Sequence, residues 1–237
     1  MKILVIAAHP DDEVLGMGGS INKFTKNGDT VKIVIMASGI HSRRSSSYNN
    51  NPSYSIDKKT LEKMNEQVKN LKKDAKNASK ILGVKDIEFL DFPDNEMDTV
   101  SNLEITKAIE KIILKFQPSV VYTHSQYDIN VDHRLCYFAT LTATRPKFNT
   151  KVREVFSFEV PSSTEWYFPS SFSPNTFVNI EKELSNKIKA LQCYKNEIEK
   201  FPHPRSSDAL KAISQKWGSV AGFKNAEAFT LIRQLRK

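Results

Sequence analysis

The chain has 237 residues, enough to bury a substantial core without disulfides, and its 39% hydrophobic and 26% charged residues suit a globular protein rather than a disordered one. Its two cysteines, Cys136 and Cys193, lie far apart in periodic, helix-like surroundings without a CxxC spacing, which excludes a disulfide framework and a zinc–thiolate site. The formal net charge of +8 is compatible with anionic partners, but much of the excess belongs to a single amphipathic segment described below.

The first element is a short apolar run, Ile3-Leu4-Val5-Ile6-Ala7-Ala8, which empties into His9-Pro10-Asp11-Asp12-Glu13. A run of this length reads as a buried strand, and Pro10 prevents it from continuing as regular sheet. It is too short to span a membrane and holds the candidate site itself, so no signal peptide or transmembrane segment is expected and a cytoplasmic location follows. Residues 13–26 read as a helix stopped by Asn27-Gly28, and residues 31–37 as a second, β-branched strand. Strand, helix and strand make a βαβ unit, whose default is a parallel sheet with a right-handed crossover.

Residues 38–55 are rich in Ser, Asn and Arg and read as a mobile loop leaving the carboxyl end of the second strand, positioned to act as a lid. From 57 to 81 the series Leu61, Met64, Val68, Leu71, Ala75, Ala78 and Ile81 keeps a helical stripe, with eight lysines on the other faces. This is a solvated helix face; without interleaved aromatic residues no nucleic-acid partner is expected. A strand at 87–90 leads into Asp91-Phe92-Pro93-Asp94, a helix at 103–116 stops before Pro118, and residues 119–123 form a fourth strand. Further on, residues 154–160 read as a strand, 177–178 as a weak strand, 181–200 as a helix and 226–235 as a final helix. Alternating strands and helices place the chain in the α/β class, as one Rossmann-like domain of three layers with a mostly parallel sheet.

A second polar cluster, Thr123-His124-Ser125-Gln126-Tyr127-Asp128-Ile129-Asn130-Val131-Asp132-His133-Arg134, follows the fourth strand. If the fourth strand neighbours the first, His9, one of Asp11 or Asp12, and His133 meet on one sheet edge, where open α/β sheets bind ligands. Two imidazoles and a carboxylate hold a divalent ion and leave a position for water, whose pKa the ion lowers. Asp128 and Asn130 read equally well as turn formers, and Asp94 as a cap or an acceptor for a substrate hydroxyl. Arg205 is a candidate for an anionic substrate group and Arg43, in the loop, a weaker one; His41 and His203 read as surface or structural. Gly16, Gly18 and Gly19 let the first helix pack closely on the sheet.

The segment Ala8-His9-Pro10-Asp11-Asp12-Glu13, extended by Val14-Leu15-Gly16-Met17-Gly18-Gly19, together with Asn130-Val131-Asp132-His133-Arg134, resembles the PIG-L/LmbE superfamily of zinc-dependent N-acetylsugar deacetylases. Weaker similarity runs through Leu82-Gly83-Val84, Phe92-Pro93-Asp94, His203-Pro204-Arg205-Ser206 and Ala226-Glu227-Ala228-Phe229. The resemblance implies a zinc ion on His9, Asp12 and His133, with Asp11 as general base and Asp132 orienting a ring nitrogen. Many relatives carry a histidine at the position of Asn130; asparagine donates a hydrogen bond but supplies no proton. Asp11 is therefore expected to return its proton to the leaving amine, with His124 as the alternative donor. The implied substrate is an N-acetylated amino sugar or glycoconjugate, with a weak link to surface-polysaccharide assembly. The alternatives are a metal hydrolase of ester or phosphate bonds, or a nucleotide-binding module without catalysis. The latter is disfavoured because the carboxylates after strand one would repel a pyrophosphate and the glycines do not form a G-x-G-x-x-G turn.

Overall fold

The computed structural model describes residues 1–40, 58–147, 150–169 and 172–236. A seven-stranded sheet forms its middle layer: β1 (Lys2–Ala7), β2 (Thr30–Ala37), β3 (Asp86–Phe92), β4 (Val120–His124), β5 (Glu154–Phe158), β6 (Thr176–Asn179) and β7 (Ala226–Gln234). The spatial order is β3-β2-β1-β4-β5-β7-β6. The first five of these are mutually parallel, whereas β7 runs antiparallel to β5 and β6. The helices are α1 (Asp12–Lys26), α2 (Lys58–Ile81), α3 (Asn102–Phe116), α4 (Val131–Ala143), α5 (Leu184–Leu191) and α6 (Ser207–Ala221).

Strand alternation divides the core into two faces. Ile3, Val5 and Ala7 of β1 and Ile33 and Ile35 of β2 pack with Leu15 and Ile21 of α1, Leu71 and Ala75 of α2, and Ala190 and Leu191 of α5. Leu4 and Ile6 face the opposite way with Val34, against Ile105 and Ile109 of α3 and Cys136 and Ala139 of α4. The result is the expected α/β/α sandwich. Successive strands progress outward from β1 through β2 to β3, then restart on the other side at β4 and β5. The order thus reverses between β1 and β4, paired through Ile3↔Val120, Leu4↔Val121 and Val5↔Tyr122, and the carboxyl ends of these two strands flank the crevice such a reversal creates.

Three elements differ from the sequence reading. The last segment is strand β7, not a helix: its Ala, Glu and Leu favour a helix, yet Phe229 and Leu231 pack into the face shared with α1, while Ala226 and Ala228 meet Trp217 on the other side. Cross-strand pairing with β5 and β6 outweighs the local preference. The helix expected over 181–200 is regular only over Leu184–Leu191, and helix α6, capped by Ser206 whose Oγ accepts the Ala209 N–H, lies in a stretch for which no element was expected. In α2 the buried stripe begins at Met64, Leu61 being exposed.

Helix α1 kinks at Met17 (φ −149°, ψ 24°), and the two N–H groups freed there, of Gly19 and Ser20, donate to the Glu227 carboxylate of β7 at 2.9 and 2.6 Å. Lys187 neutralises that buried carboxylate at 2.6 Å and donates to the Leu15 carbonyl. A β-carbon on Gly16 would lie 2.4 Å from Phe158 Cδ2 and 2.9 Å from the Glu159 carbonyl oxygen. Gly16→Ala is therefore expected to destabilise the fold by about 1–3 kcal/mol, through overpacking against backbone that cannot yield. Denaturant unfolding of the variant checks this.

Candidate metal centre and active-site cavity

Pro10 ends β1, and the chain turns through Asp11 at φ 103°, a left-handed conformation that an Asp adopts only under constraint. The constraint is visible. The Asp11 carbonyl accepts the N–H groups of Val14 and Leu15 at 3.0 and 2.8 Å, opening α1, and the Asp11 N–H donates to Glu13 Oε2 at 3.1 Å. Glu13 is held by the buried Tyr194 hydroxyl, which donates to its other oxygen. Burial pushes the Glu13 carboxyl up to about 8, with the Tyr194 bond opposing.

Across the switch point, Asn130 caps α4: its side chain accepts the Asp132 N–H at 2.9 Å, and its amide donates to Asn95 Oδ1 at 2.7 Å. The cap places Asp132 and His133 in the first turn of α4, where the positive end of the helix favours a carboxylate. His9, Asp12 and His133 are all buried and offer one nitrogen or oxygen each within 4.8 Å of one another. Asp12 Oδ2 lies 3.5 Å from His9 Nδ1 and 3.2 Å from His133 Nε2.

The remaining nitrogens face carboxylates. His9 Nε2 is 3.0 Å from Asp132 Oδ2 and 3.2 Å from Asp94 Oδ1. His133 Nδ1 is 3.0 Å from Asp128 Oδ2. Asp128 is in turn held by the hydroxyls of Ser163 and Thr164, and accepts the Asn130 N–H at 2.8 Å. This is the arrangement by which carboxylates fix the orientation of metal-ligating imidazoles.

The donor set fits a divalent cation. His133 Nε2 is buried without a hydrogen-bond partner of acceptable geometry, although it points toward Asp12. Five buried carboxylates, Asp11, Asp12, Asp94, Asp128 and Asp132, crowd the two imidazoles. Burial works against charge on His9 and His133, but the surrounding Asp residues raise both, His133 to about 9. Asp12 is held well below the usual carboxylate range against its burial, chiefly by His133. A second grouping, His9 with Asp94 and Asp132, fits less well. Asp132 is already committed to the N–H groups of Asn95 and Met97 at 2.7 and 3.1 Å.

A cavity of about 410 Å³ opens above this centre, lined by His9, Asp11, Asn95, Asn130, Ser162, Trp166, Glu197, His203 and Arg205 among others. Burial pushes the Asp11 carboxyl up to about 7, Arg205 pulling the other way. Of the residues singled out in sequence, Asp11, Asn130 and Arg205 thus reach the cavity, Asp94 and Asp132 sit behind His9, and Arg43 and His41 lie outside the described residues, as does the loop beyond Ile40. His203, read as surface or structural, is in the wall.

His124, the alternative proton donor, is not among the residues that line the cavity. It is fully buried, its Nε2 accepts the Ala8 N–H at 2.7 Å, and its ring stacks on His133 with centroids 4.0 Å apart. Burial next to His133 lowers its pKa to about 3, so the ring stays neutral. It wedges the His133 ring and ties β4 to the residue after β1. Asp128 is both a turn former and part of the site, whereas Glu197, Ser162 and Trp166 were missed. They come from segments after β5 and α5 in which no pattern marks them.

An α/β sandwich with two imidazoles and a carboxylate at its switch point, below a polar cavity, has the donors that could hold a divalent ion beside a bound ligand. The family model for PIG-L, GlcNAc-PI de-N-acetylase, matches residues 4–144, and the chain belongs to this family. It is 27% identical to the diacetylchitobiose deacetylase of Thermococcus kodakarensis, over 98% of this chain and 83% of the relative. In structure it is similar to the N,N'-diacetylchitobiose deacetylase of Pyrococcus horikoshii (TM-score 0.75, 24% identity, 98% of this chain and 84% of that one). It is equally similar to the 4-carboxy-2-hydroxymuconate hydratase GalB of Pseudomonas putida (TM-score 0.75, 20% identity, 100% of this chain and 98% of that one). At these identities the structural likenesses establish the fold. Among the described residues no helix is long and apolar enough to cross a membrane.

Proposed function

We propose that this protein is a metal-dependent amidohydrolase that removes the acetyl group from an N-acetylated amino sugar or glycoconjugate. The observation that carries the reading is the buried His9, Asp12 and His133 group with the Asp11 carboxylate beside it at the cavity floor, in a chain of the PIG-L family. His9 Nδ1, Asp12 Oδ2 and His133 Nε2 would hold the ion, zinc by the family resemblance, which when bound supplies positive charge for a developing oxyanion and acidifies water.

The chain's own groups do the rest. Asp11 accepts the proton of the water that attacks the acetamide carbonyl, then returns it to the amine as the C–N bond breaks, so acetate and the free amino sugar leave. A carboxyl near neutrality suits both halves of that cycle. Asp132 and Asp128 keep the two imidazoles in their binding orientation, and the neutral His124 supports His133 from behind. Asn130 and Asn95, bonded to each other, line the cavity that would take the sugar, and Trp166 offers an aromatic face at its wall.

The amide of Asn130 is engaged with Asn95 and its oxygen caps α4, so Asn130→Ala is expected to cost about 1 kcal/mol of stability from the lost cap. Its turnover should fall much less than when the proton carrier is removed, because losing one neutral donor need not abolish the reaction. Steady-state kinetics beside thermal unfolding checks both. The function itself is tested by incubating the zinc-loaded protein with N-acetylglucosamine, its disaccharide and UDP-N-acetylglucosamine, reading acetate.

A further inference from the structure

Arg205 lies in the cavity wall directly before Ser206, the cap of α6, so its backbone is anchored. Its Nε donates to Ser162 Oγ at 2.7 Å, and its Nη1 lies 3.1 Å from both Asp11 Oδ2 and Glu197 Oε2. The guanidinium therefore joins three segments: the turn after β1, the loop after β5 and the stretch after α5. Asp11 and Glu197 are both nearly buried, and two carboxylates this close to one guanidinium nitrogen would repel each other without it. An anionic substrate group would meet a guanidinium whose Nε and Nη1 are already engaged by a hydroxyl and two carboxylates. Asp11 is thus gripped twice, its backbone by Glu13 and its side chain by Arg205.

We propose that Arg205, braced by Glu197 and Ser162, is a positioning residue that holds the Asp11 carboxylate toward the metal centre and does not itself receive a substrate anion. This rests on the reading of Asp11 as the base. A lysine keeps the charge but loses the rigid fork that reaches Ser162 and both carboxylates together.

The test uses the full-length zinc-loaded protein and N,N'-diacetylchitobiose. Arg205→Lys is expected to lower kcat by about 10- to 100-fold, the scale of a small misplacement of a reacting group, with KM and zinc content little changed. In an Asp11→Asn background the same substitution should cost nothing further, because the two act as one unit. A raised KM with unchanged kcat, or losses that multiply in the double variant, would overturn the proposal. Crystal structures of Arg205→Lys and Glu197→Gln give a readout without turnover: the Asp11 side chain should leave its wild-type position in the first, and an Asp11 carboxylate that stays in place there overturns the role. If the wild-type protein releases no acetate at all, it is the deacetylase reading that fails, and the crystallographic arm still decides the role of Arg205.

Discussion

Replacing Asp11 with Asn is expected to lower the deacetylation rate by about 10²- to 10⁴-fold, the usual contribution of a positioned acid–base group, while bound metal stays at the wild-type level. The variant is nearly isosteric, and asparagine tolerates the positive φ of 103° at this position about as well as aspartate does. Asp12 makes the contacts to His9 and His133, so the candidate metal centre keeps its carboxylate. What the amide loses is the ability to take a proton and give it back. His124 is not placed to substitute, since it is buried behind His133 and stays neutral. Parallel measurement of kcat and of zinc by elemental analysis checks this; a rate within a few-fold of wild type would remove Asp11 from the chemistry.

His133→Ala is expected to bind well under one metal per chain and to retain no more activity than the chelated wild type. The structure adds an effect that the sequence conceals. The position looks like part of a loop after a strand, where truncation should be harmless, but His133 is buried in the first turn of α4 between Asp12 and Asp128. Removing it leaves two buried carboxylates without their partner, and breaking a buried pair in this way costs about 3–5 kcal/mol. Metal analysis should show the loss of the ion, and unfolding curves of the metal-free proteins should show the lower stability. Full occupancy in the variant would contradict the assignment.

The parts of the molecule legible in sequence share a short range. The apolar run of residues 3–8, its interruption by Pro10 and the βαβ spacing that follows depend on neighbours, and they place His9, Asp11 and Asp12 at a strand end where the structure has them. The pairing of β4 with β1 required the inference of a switch point, and the structure contains it. What sequence conceals depends on partners remote in the chain. Residues 226–234 favour a helix by composition and become a strand because β5 and β6 offer two edges and Glu227 is wanted at the α1 kink. Glu197 and Ser162, remote from each other in the chain, meet at the Arg205 guanidinium in the cavity wall. Arg205, read in sequence as a candidate for an anionic substrate group, pairs within the chain with Asp11 and Glu197, partners that its sequence neighbours do not reveal.

The most direct test of the account is acetate release from N,N'-diacetylchitobiose by the zinc-loaded protein, followed through removal of the metal with a chelator and restoration with zinc. The account predicts acetate that appears with zinc, disappears with chelation and returns on reloading, with one free amine formed per acetate. Acetate release that persists in metal-free protein, or its absence from the fully loaded protein with this sugar and other N-acetylated sugars, would contradict it.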